Sequence, residues 1–353
     1  MSLPSPSELT KGKNILLLGG SGSLGHALAA AWAPDNQVLV FSRDENKQWL
    51  MKQKFPQLRY VLGDVRNPES LRRVYRRFCP DLVVHAAALK HVEVCEENIA
   101  ECIATNVTGL QNSLEAAQEL GKKGLDFVFI STDKACSPIN VYGMSKALGE
   151  RMVAEAAKKD PSRRFINVRY GNVFNSRGSV VEKFARTVER ARSQPDFDPV
   201  FQVTDPRMTR FFMSLEESVR LIEFSLASAV SGEIWISKAP SFRILDLATH
   251  CASLCGGRVE ITGLRGPEKL DETLLNQEEM RKARQILDFF FFDQTPGSAS
   301  PEALSCFSAP KRPAETPGKE DSSPSYDSSN PGDFSLLTHA LAACGLSQDS
   351  LNC

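Results

Sequence analysis

From residue 13 to about residue 170 the chain alternates short apolar runs with stretches whose apolar residues recur every three or four positions. Asn14–Leu18, Gln37–Phe41, Arg59–Leu62, Asp81–His85, Leu125–Ile130 and Phe165–Val168 have strand length, and Leu24–Trp32 and Pro68–Phe78 carry the helical period. Most of the runs are apolar throughout instead of alternating, as a strand must be when both faces of its sheet are covered. Strand and helix in alternation therefore predict an α/β fold, a doubly wound parallel sheet wrapped by helices. After residue 170 the pattern becomes irregular, with Gly, Pro and Arg clusters between short helices over 171–205 and 236–290, which predicts a smaller C-terminal lobe.

Composition narrows the picture without changing it. Lys and Arg total 42 against 43 Asp and Glu, a formal net charge of −1, so the chain as a whole has no drive toward nucleic acid or an anionic membrane. Met1–Thr10 lacks the apolar core and basic flank of a signal peptide, and the longest apolar runs, such as Phe289–Phe292, are far below membrane-helix length. The expectation is a soluble, cytoplasmic protein. Its nine cysteines are scattered with no CxxC pair or histidine cluster, which predicts reduced thiols and no metal. The Pro/Ser-rich stretch 294–331 cannot bury a core and is expected to be flexible. Within 332–353 the apolar segment Phe334–Leu346 is expected to dock back as a helix.

Gly19, Gly22 and Gly25 form a G-x-x-G-x-x-G turn directly after the first strand. Such a turn brings the backbone against a pyrophosphate, and a helix starting near Ser23 aims its N-terminal amides at the charge. Between a strand and a helix this context predicts a Rossmann-type dinucleotide site. NAD-selective sites place an acid at the end of the second strand, whereas this chain has Ser42-Arg43 there, a hydroxyl and a guanidinium suited to the 2′-phosphate of NADP. The alternative leaves Arg43 in solvent and gives the ribose to Asp44 or Glu45. Asp64-Val65, after the third strand, is the expected adenine contact.

Ser131-Thr132-Asp133-Lys134 follows the fifth strand, at the sheet end that faces the ligand crevice. Beyond it Tyr142 and Lys146 stand one turn apart on one helix face. A lysine beside a phenol favours the phenolate, which takes a hydroxyl proton while a hydride leaves the same carbon.

Together, Gly19-x-x-Gly22-x-x-Gly25, Ser131–Lys134 and Tyr142-x-x-x-Lys146 resemble the extended short-chain dehydrogenase/reductase superfamily, and within it most closely the UDP-N-acetylglucosamine 4,6-dehydratases. Supporting strings run in family order, among them Ser42–Glu45, Ala88–Val92, Pro138–Asn140, Arg169–Val173, Ser176–Val180, Asp205–Phe211 and Arg265–Leu270, with Tyr326–Asn330 resuming the pattern near the end. The resemblance implies residues 11–170 as the NADP-binding domain and 171–293 mainly as the substrate-binding lobe, some of whose segments return to the first domain.

The resemblance also implies a redox-neutral reaction on a UDP-sugar. Tyr142 with Lys146 would assist oxidation at C4, Thr132 would bond the C4 oxygen, Asp133 would protonate the C6 hydroxyl, and Lys134, with a lowered pKa, would take the C5 proton. For the cofactor it implies contacts from Gly19, Ser21, Gly22, Ser23, Leu24, Gly25, Ser42, Arg43, Asp64, Val65, Ala86, Ala87, Lys90, Asn106, Tyr142 and Lys146. For the substrate it implies Lys90, His91, Thr132, Tyr170, Asn172, Val180, Thr204, Arg207, Met208, Arg265 and Glu268. His91 is equally readable as a satisfied structural histidine. Membrane-anchored relatives, which retain the C5 configuration, carry Met where this chain has Tyr142, so inversion at C5 is expected. Self-association to a dimer or higher oligomer is expected as well.

Three competing readings remain at this point. A C5-retaining dehydratase differs only in stereochemistry. A 4-epimerase shares the tyrosine and lysine but has no use for an acid–base pair at 133–134. A noncatalytic NADP-binding regulatory or scaffold protein shares the fold alone.

Overall fold

The computed structural model describes residues 11–174, 176–294, 316–317, 325–329, 331–332, 341, 344 and 346. The first half alternates: β1 (Asn14–Leu18), α1 (Ser23–Trp32), β2 (Gln37–Ser42), α2 (Glu45–Lys54), β3 (Arg59–Leu62), α3 (Pro68–Phe78) and β4 (Leu82–His85). There follow α4 (Val92–Glu97), α5 (Ile99–Ile103), a π-helical turn (Ala104–Thr108), α6 (Gly109–Glu119), β5 (Asp126–Ile130), a 3-10 turn (Asp133–Ala135), α7 (Val141–Lys159) and β6 (Arg164–Arg169). The second half runs β7 (Asn172–Val173), α8 (Val180–Ser193), β8 (Val200–Val203), β9 (Thr209–Met213), α9 (Leu215–Ser228), β10 (Glu233–Ser237), β11 (Ser241–Arg243), α10 (Ile244–Ser253) and β12 (Arg258–Ile261). It continues with β13 (Thr273–Leu275), α11 (Gln277–Lys282), β14 (Arg284–Ile286), β15 (Phe289–Asp293), β16 (Thr316–Pro317) and β17 (Tyr326–Asp327).

The main sheet has ten strands in the order β16-β14-β15-β10-β6-β5-β4-β1-β2-β3. From β3 to β10 every neighbouring pair is parallel, and β15, β14 and β16 close the far edge antiparallel. The order reverses between β1 and β4, the switch point where such sheets open a crevice at their strand C-termini. Successive residues of a strand face opposite ways, and here both ways are dry. Ile15 and Leu17 join Leu28, Trp32 and Leu221 on one face, while Leu16 and Leu18 join Leu71, Leu110 and Val153 on the other. That double burial explains the uninterrupted apolar runs. The edge strand β3 keeps half its length exposed.

The smaller lobe has its own core. Phe184, Phe201, Phe212, Phe242 and Leu247 pack together, and Leu341 and Leu346 join them from near the end of the chain. Most of 294–331 and of the expected helix Phe334–Leu346 lies outside the described residues. Within the stretch expected to be flexible, Thr316–Pro317 and Tyr326–Asp327 are strands, paired with β14 and β13. Among the described residues no helix is long and apolar enough to cross a membrane.

Candidate active site

The glycine turn lies where β1 meets α1. Gly19 has φ +78°, and a Cβ there would stand 2.6 Å from the backbone of Ala87, so only glycine lets the ends of β1 and β4 approach this closely. A Cβ on Gly25 would run into the Gly20 carbonyl, which is why α1 can seat directly on the turn. Helices α2, α3, α7, α8 and α9 each begin with a side-chain cap on a backbone amide. Helix α1 begins at Gly22 without one, so its first-turn amides stay free for an anion. Ser21 is buried in the turn, and the Ser23 hydroxyl accepts from the Arg177 amide at 3.2 Å.

Arg177, which sequence reasoning did not select, covers the turn from the smaller lobe. Its guanidinium donates to the Ser21 carbonyl at 3.3 Å and lies 3.3 Å from His26 Nε2, and its own carbonyl accepts from Lys90 Nζ at 2.6 Å. Burial lowers the Lys90 pKa. His91 is exposed with its ring against Gly178, so it is not the satisfied structural histidine of the alternative reading.

At the end of β2 the Ser42 hydroxyl is buried and accepts from Gln48 Nε2 at 2.9 Å. Arg43 is half exposed, 3.9 Å from Asp64. Asp44 caps α2 through the Lys47 amide and pairs with Lys47 Nζ at 2.7 Å, so it is engaged in its own helix. Asp64 holds the Arg66 guanidinium at 2.7 Å. Val65 turns its side chain into the core against Gly109, and its carbonyl accepts from Asn112. Asn106 is also internal. It exchanges hydrogen bonds with the Leu89 backbone and donates to Ser145 at 2.9 Å, bracing the Leu89 loop against α7 instead of pointing at a ligand.

The catalytic candidates converge. Asn140 caps α7 by accepting from the Gly143 amide at 2.8 Å, which fixes the turn carrying Tyr142 and Lys146. The Asp133 amide donates to the Tyr170 carbonyl at 3.0 Å, tying the 3-10 turn to the end of β6. Thr132 donates to Asp133 Oδ1 at 3.0 Å, and Lys134 Nζ reaches the same oxygen at 3.0 Å. Asp133 is fully buried; burial raises its pKa, with the Lys134 charge opposing and the Glu272 charge adding to the rise.

Two electrostatic expectations are corrected. Lys146 does not pair with the phenol: Nζ donates to the Ile130 carbonyl at 2.6 Å and sits 4.4 Å from the Phe129 ring centroid. Burial pushes Lys146 down to about 8, with Glu150 opposing. Burial likewise raises Tyr142, against the pull of the neighbouring Thr132 hydroxyl, so the phenol is protonated at neutral pH. The second correction concerns Lys134. Burial works against its charge, but Asp133 and Glu272 outweigh that and hold the ammonium above its ordinary range. A lowered pKa was expected there, and no sequence signal marked Glu272, whose Oε1 is 3.0 Å from Lys134 Nζ.

Behind this cluster lies a buried ionic tie. Arg169 donates to Glu150 at 2.9 and 2.7 Å, to Glu279 at 2.9 and 3.0 Å and to the Leu274 carbonyl at 2.8 Å. Ser131 donates to the same Glu150 at 2.6 Å, so α7, the ends of β5 and β6, and α11 are locked together.

The expected nucleotide contacts are more dispersed. Tyr170 is in the catalytic group, where burial raises its pKa and Tyr142 adds to the rise. Asn172 opens β7 beside β9. Val180 and Met208 pack on the smaller lobe's core, with Thr204 donating to Met208 Sδ at 3.4 Å. Arg207 is exposed and paired with Asp205 at 2.8 Å; Arg265 pairs with Glu93 at 3.0 Å and donates its amide to Glu268 at 3.2 Å. Among the described residues no contact ties these two arginines to the catalytic group.

Residues 15–294 match the family described as polysaccharide biosynthesis protein. The chain is 39% identical over 287 residues to the UDP-N-acetylglucosamine 4,6-dehydratase (inverting) of Campylobacter jejuni, covering 79% of this chain and 82% of that protein. It is 37% identical over 290 residues to the UDP-glucose 4-epimerase of Rickettsia conorii, with the same 79% and 82% shares. Among solved structures it is similar to Pen from Bacillus thuringiensis, with a TM-score of 0.79 and 31% identity over 96% of this chain and 99% of that one. The dTDP-glucose 4,6-dehydratase of Streptomyces venezuelae with NAD bound, at 23% identity and a TM-score of 0.62 over 72% and 88%, shares the fold.

Proposed function

Because the chain belongs to the polysaccharide biosynthesis protein family, we propose that it is a UDP-N-acetylglucosamine 4,6-dehydratase acting in nucleotide-sugar biosynthesis and inverting C5. The observation that carries this reading is the contact of buried Asp133 with partly buried Lys134 at the end of β5, beside Tyr142. Dehydration across C5–C6 needs an acid and a base beyond the tyrosine; exchanging hydrogen at C4 alone needs only the proton relay at Tyr142.

The cradle made by Gly19, Gly25, Ala87 and the free amides of α1 fits a nicotinamide dinucleotide, which supplies hydride acceptance and return when bound. We infer that it is NADP, since Arg43 faces outward at the end of β2 while Asp44 is committed to α2.

Tyr142 takes the C4 hydroxyl proton as the hydride leaves that carbon, which requires its buried phenol first to release its own proton to solvent, and Thr132 is the second partner of that oxygen. Once C4 is a ketone, the C5 proton is acidic. Lys134 removes it, and Asp133, whose raised pKa suits a proton donor, protonates the leaving C6 hydroxyl. Arg177, reaching the glycine turn from the smaller lobe, ties the two sides of the crevice mouth together. Arg207 and Arg265 are the forks that would leave Asp205 and Glu93 for a UDP diphosphate.

The 4-epimerase relatives favour a second reading, at nearly the same identity. Incubating the protein without added cofactor with UDP-N-acetylglucosamine, UDP-glucose and UDP-galactose, and following products by proton NMR, separates the two. A 4-keto-6-deoxy product with inverted C5 supports the dehydratase; a C4 epimer with no keto product overturns it. We also infer a dimer or higher oligomer, since Val94, Ile99, Ile103, Met144 and Leu148 expose an apolar face across α4, α5 and α7. Light scattering of parent and Leu148→Glu reads that directly, and a monomeric parent refutes it.

A further inference from the structure

We propose that Glu272 is a positioning residue for the Asp133–Lys134 acid–base pair, held in register by Ser328 of the C-terminal segment. This rests on the dehydratase reading above and extends it to a residue outside the expected site.

The Lys134 ammonium sits between two carboxylates, 3.0 Å from Asp133 Oδ1 and 3.0 Å from Glu272 Oε1. Glu272 is almost wholly buried, and Arg210 Nε stands 3.6 Å from the same oxygen. The group therefore holds two anions and two cations together, with Asp133, Glu272 and Arg210 buried and Lys134 still partly open to solvent. Burial disfavours the Glu272 charge, but Lys134 and Arg210 outweigh it, so Glu272 remains a carboxylate. The other groups facing the cluster are Tyr142 from α7 and Lys269 from the preceding loop.

The chemistry needs Asp133 protonated and Lys134 neutral together. One proton moving along their 3.0 Å contact achieves both: an N–H bond of Lys134 breaks and an O–H bond of Asp133 forms. During elimination Lys134 takes the C5 proton. The C5–H electron pair becomes the C5–C6 double bond, the C6–O bond breaks, and the leaving oxygen takes the Asp133 proton and departs as water. The ion pair is thereby restored. Glu272 helps at two points. Its charge raises both Asp133 and Lys134 and so sets the pH window in which the pair works. Its oxygen also accepts an N–H from Lys134 in either protonation state, so the neutral amine does not swing away. Asp133 Oδ2 and Glu272 Oε2 are both buried without a hydrogen-bond partner among the described residues, so each carboxylate keeps an oxygen uncommitted within the cluster.

The backbone that delivers Glu272 is held from far along the chain. The Glu272 amide donates to Ser328 Oγ at 2.9 Å, and the Ser328 amide returns a bond to the Glu272 carbonyl at 2.9 Å. Thr209 joins them, donating to Asp271 at 2.6 Å and lying 2.7 Å from Ser328 Oγ. Strand β17 pairs antiparallel with β13 just beyond. Tyr326–Ser328, which matched the family pattern without an assigned role, thus seats the acid–base pair.

The test uses the full chain and follows 4-keto product from UDP-N-acetylglucosamine across pH. For Glu272→Gln, kcat is expected to fall on the order of 10–100-fold with KM held within about twofold. Both limbs of the kcat–pH profile move to lower pH, because the lost charge raised both Asp133 and Lys134. Unchanged kcat, or a fall with superimposable limbs, overturns the proposal. The charge-conserving Glu272→Asp covers a Gln variant that fails to fold: lower kcat with parental limbs supports the proposal, and limbs shifted to lower pH overturn it. Ser328→Ala is expected to lower kcat at constant KM, and parental kcat there overturns the register claim. If the parent makes no 4-keto sugar, the dehydratase reading fails first; if it does and Glu272→Gln behaves as the parent, only the present proposal fails.

Discussion

Replacing Arg169 by Met removes a guanidinium that is 1% exposed and the partner of two carboxylates, while keeping most of its volume. Glu150, 2% exposed, then retains only the Ser131 hydroxyl as a side-chain partner among the described residues, and Glu279 retains its cap contacts with Asn276 and the Cys136 thiol. Removing one partner of a buried pair leaves an uncompensated charge at a cost of about 3–5 kcal/mol. The cost should sit at the upper end, because the Leu274 carbonyl loses its donor as well. Urea titration followed by far-UV circular dichroism reads the difference in midpoint at constant slope. The pH dependence has a definite sign. Burial raises the Glu279 pKa, but Arg169 outweighs it and the folded value is depressed. That contribution is therefore present above the ordinary glutamate range and lost as pH falls through the lower folded value. The variant has none of it to lose, so the gap between the two proteins narrows in acid. Adding Glu150→Leu to Arg169→Met should recover part of the loss, since an apolar replacement of a buried pair is often neutral. A single variant within about 1 kcal/mol of the parent, or a double variant weaker than the single, would refute the reasoning.

Gly19→Ala should abolish dinucleotide retention, because its Cβ meets the Ala87 backbone at 2.6 Å and its φ is +78°; absorbance of the purified protein and fluorescence titration with NADPH check it. Lys146, held near 8 by burial, should impose a falling limb on kcat as pH rises through about 8, and Lys146→Arg should displace that limb upward; a limb indifferent to the substitution counts against the assignment. Arg43→Ala should weaken NADP binding by roughly tenfold or more while leaving NAD unchanged, the scale of a lost charge-assisted bond; equal affinities before and after count against the NADP reading.

Much of the fold was legible because its parallel strands are buried on both faces. A run such as Ile15–Leu18 then carries the signal at every residue, and the ends of the first six strands fall within one residue of expectation. Helix α1 and the glycine turn were legible for a steric reason, since nothing but glycine fits at residue 19. The antiparallel edge was not, because pairings such as Gln285 with Thr316 join segments whose spacing has no local signature. At the site, the one-turn separation of Tyr142 and Lys146 revealed their shared face but not the Ile130 carbonyl that captures the ammonium. Glu272 was hidden for a similar reason. In the polar loop Arg265–Asp271-Glu272 an acid looks solvated, and only the fold makes it a buried neighbour of Lys134. Asn106 misled in the opposite direction: it lies at the expected position, but the Leu89 loop and Ser145 already occupy its side chain.

The pairing of β13 with β17 also sets an order of events during synthesis. A ribosome releases the glycine turn, the Asp133–Lys134 turn and α7 early, and each has its local partners by the time β6 follows. The clasp that Ser328 forms with Glu272 and Thr209 must wait until translation has passed most of the proline-rich stretch. The newborn chain thus carries its acid and base for a long interval before the wall beside them can close, and the last part of the site to be made is the one that seals it.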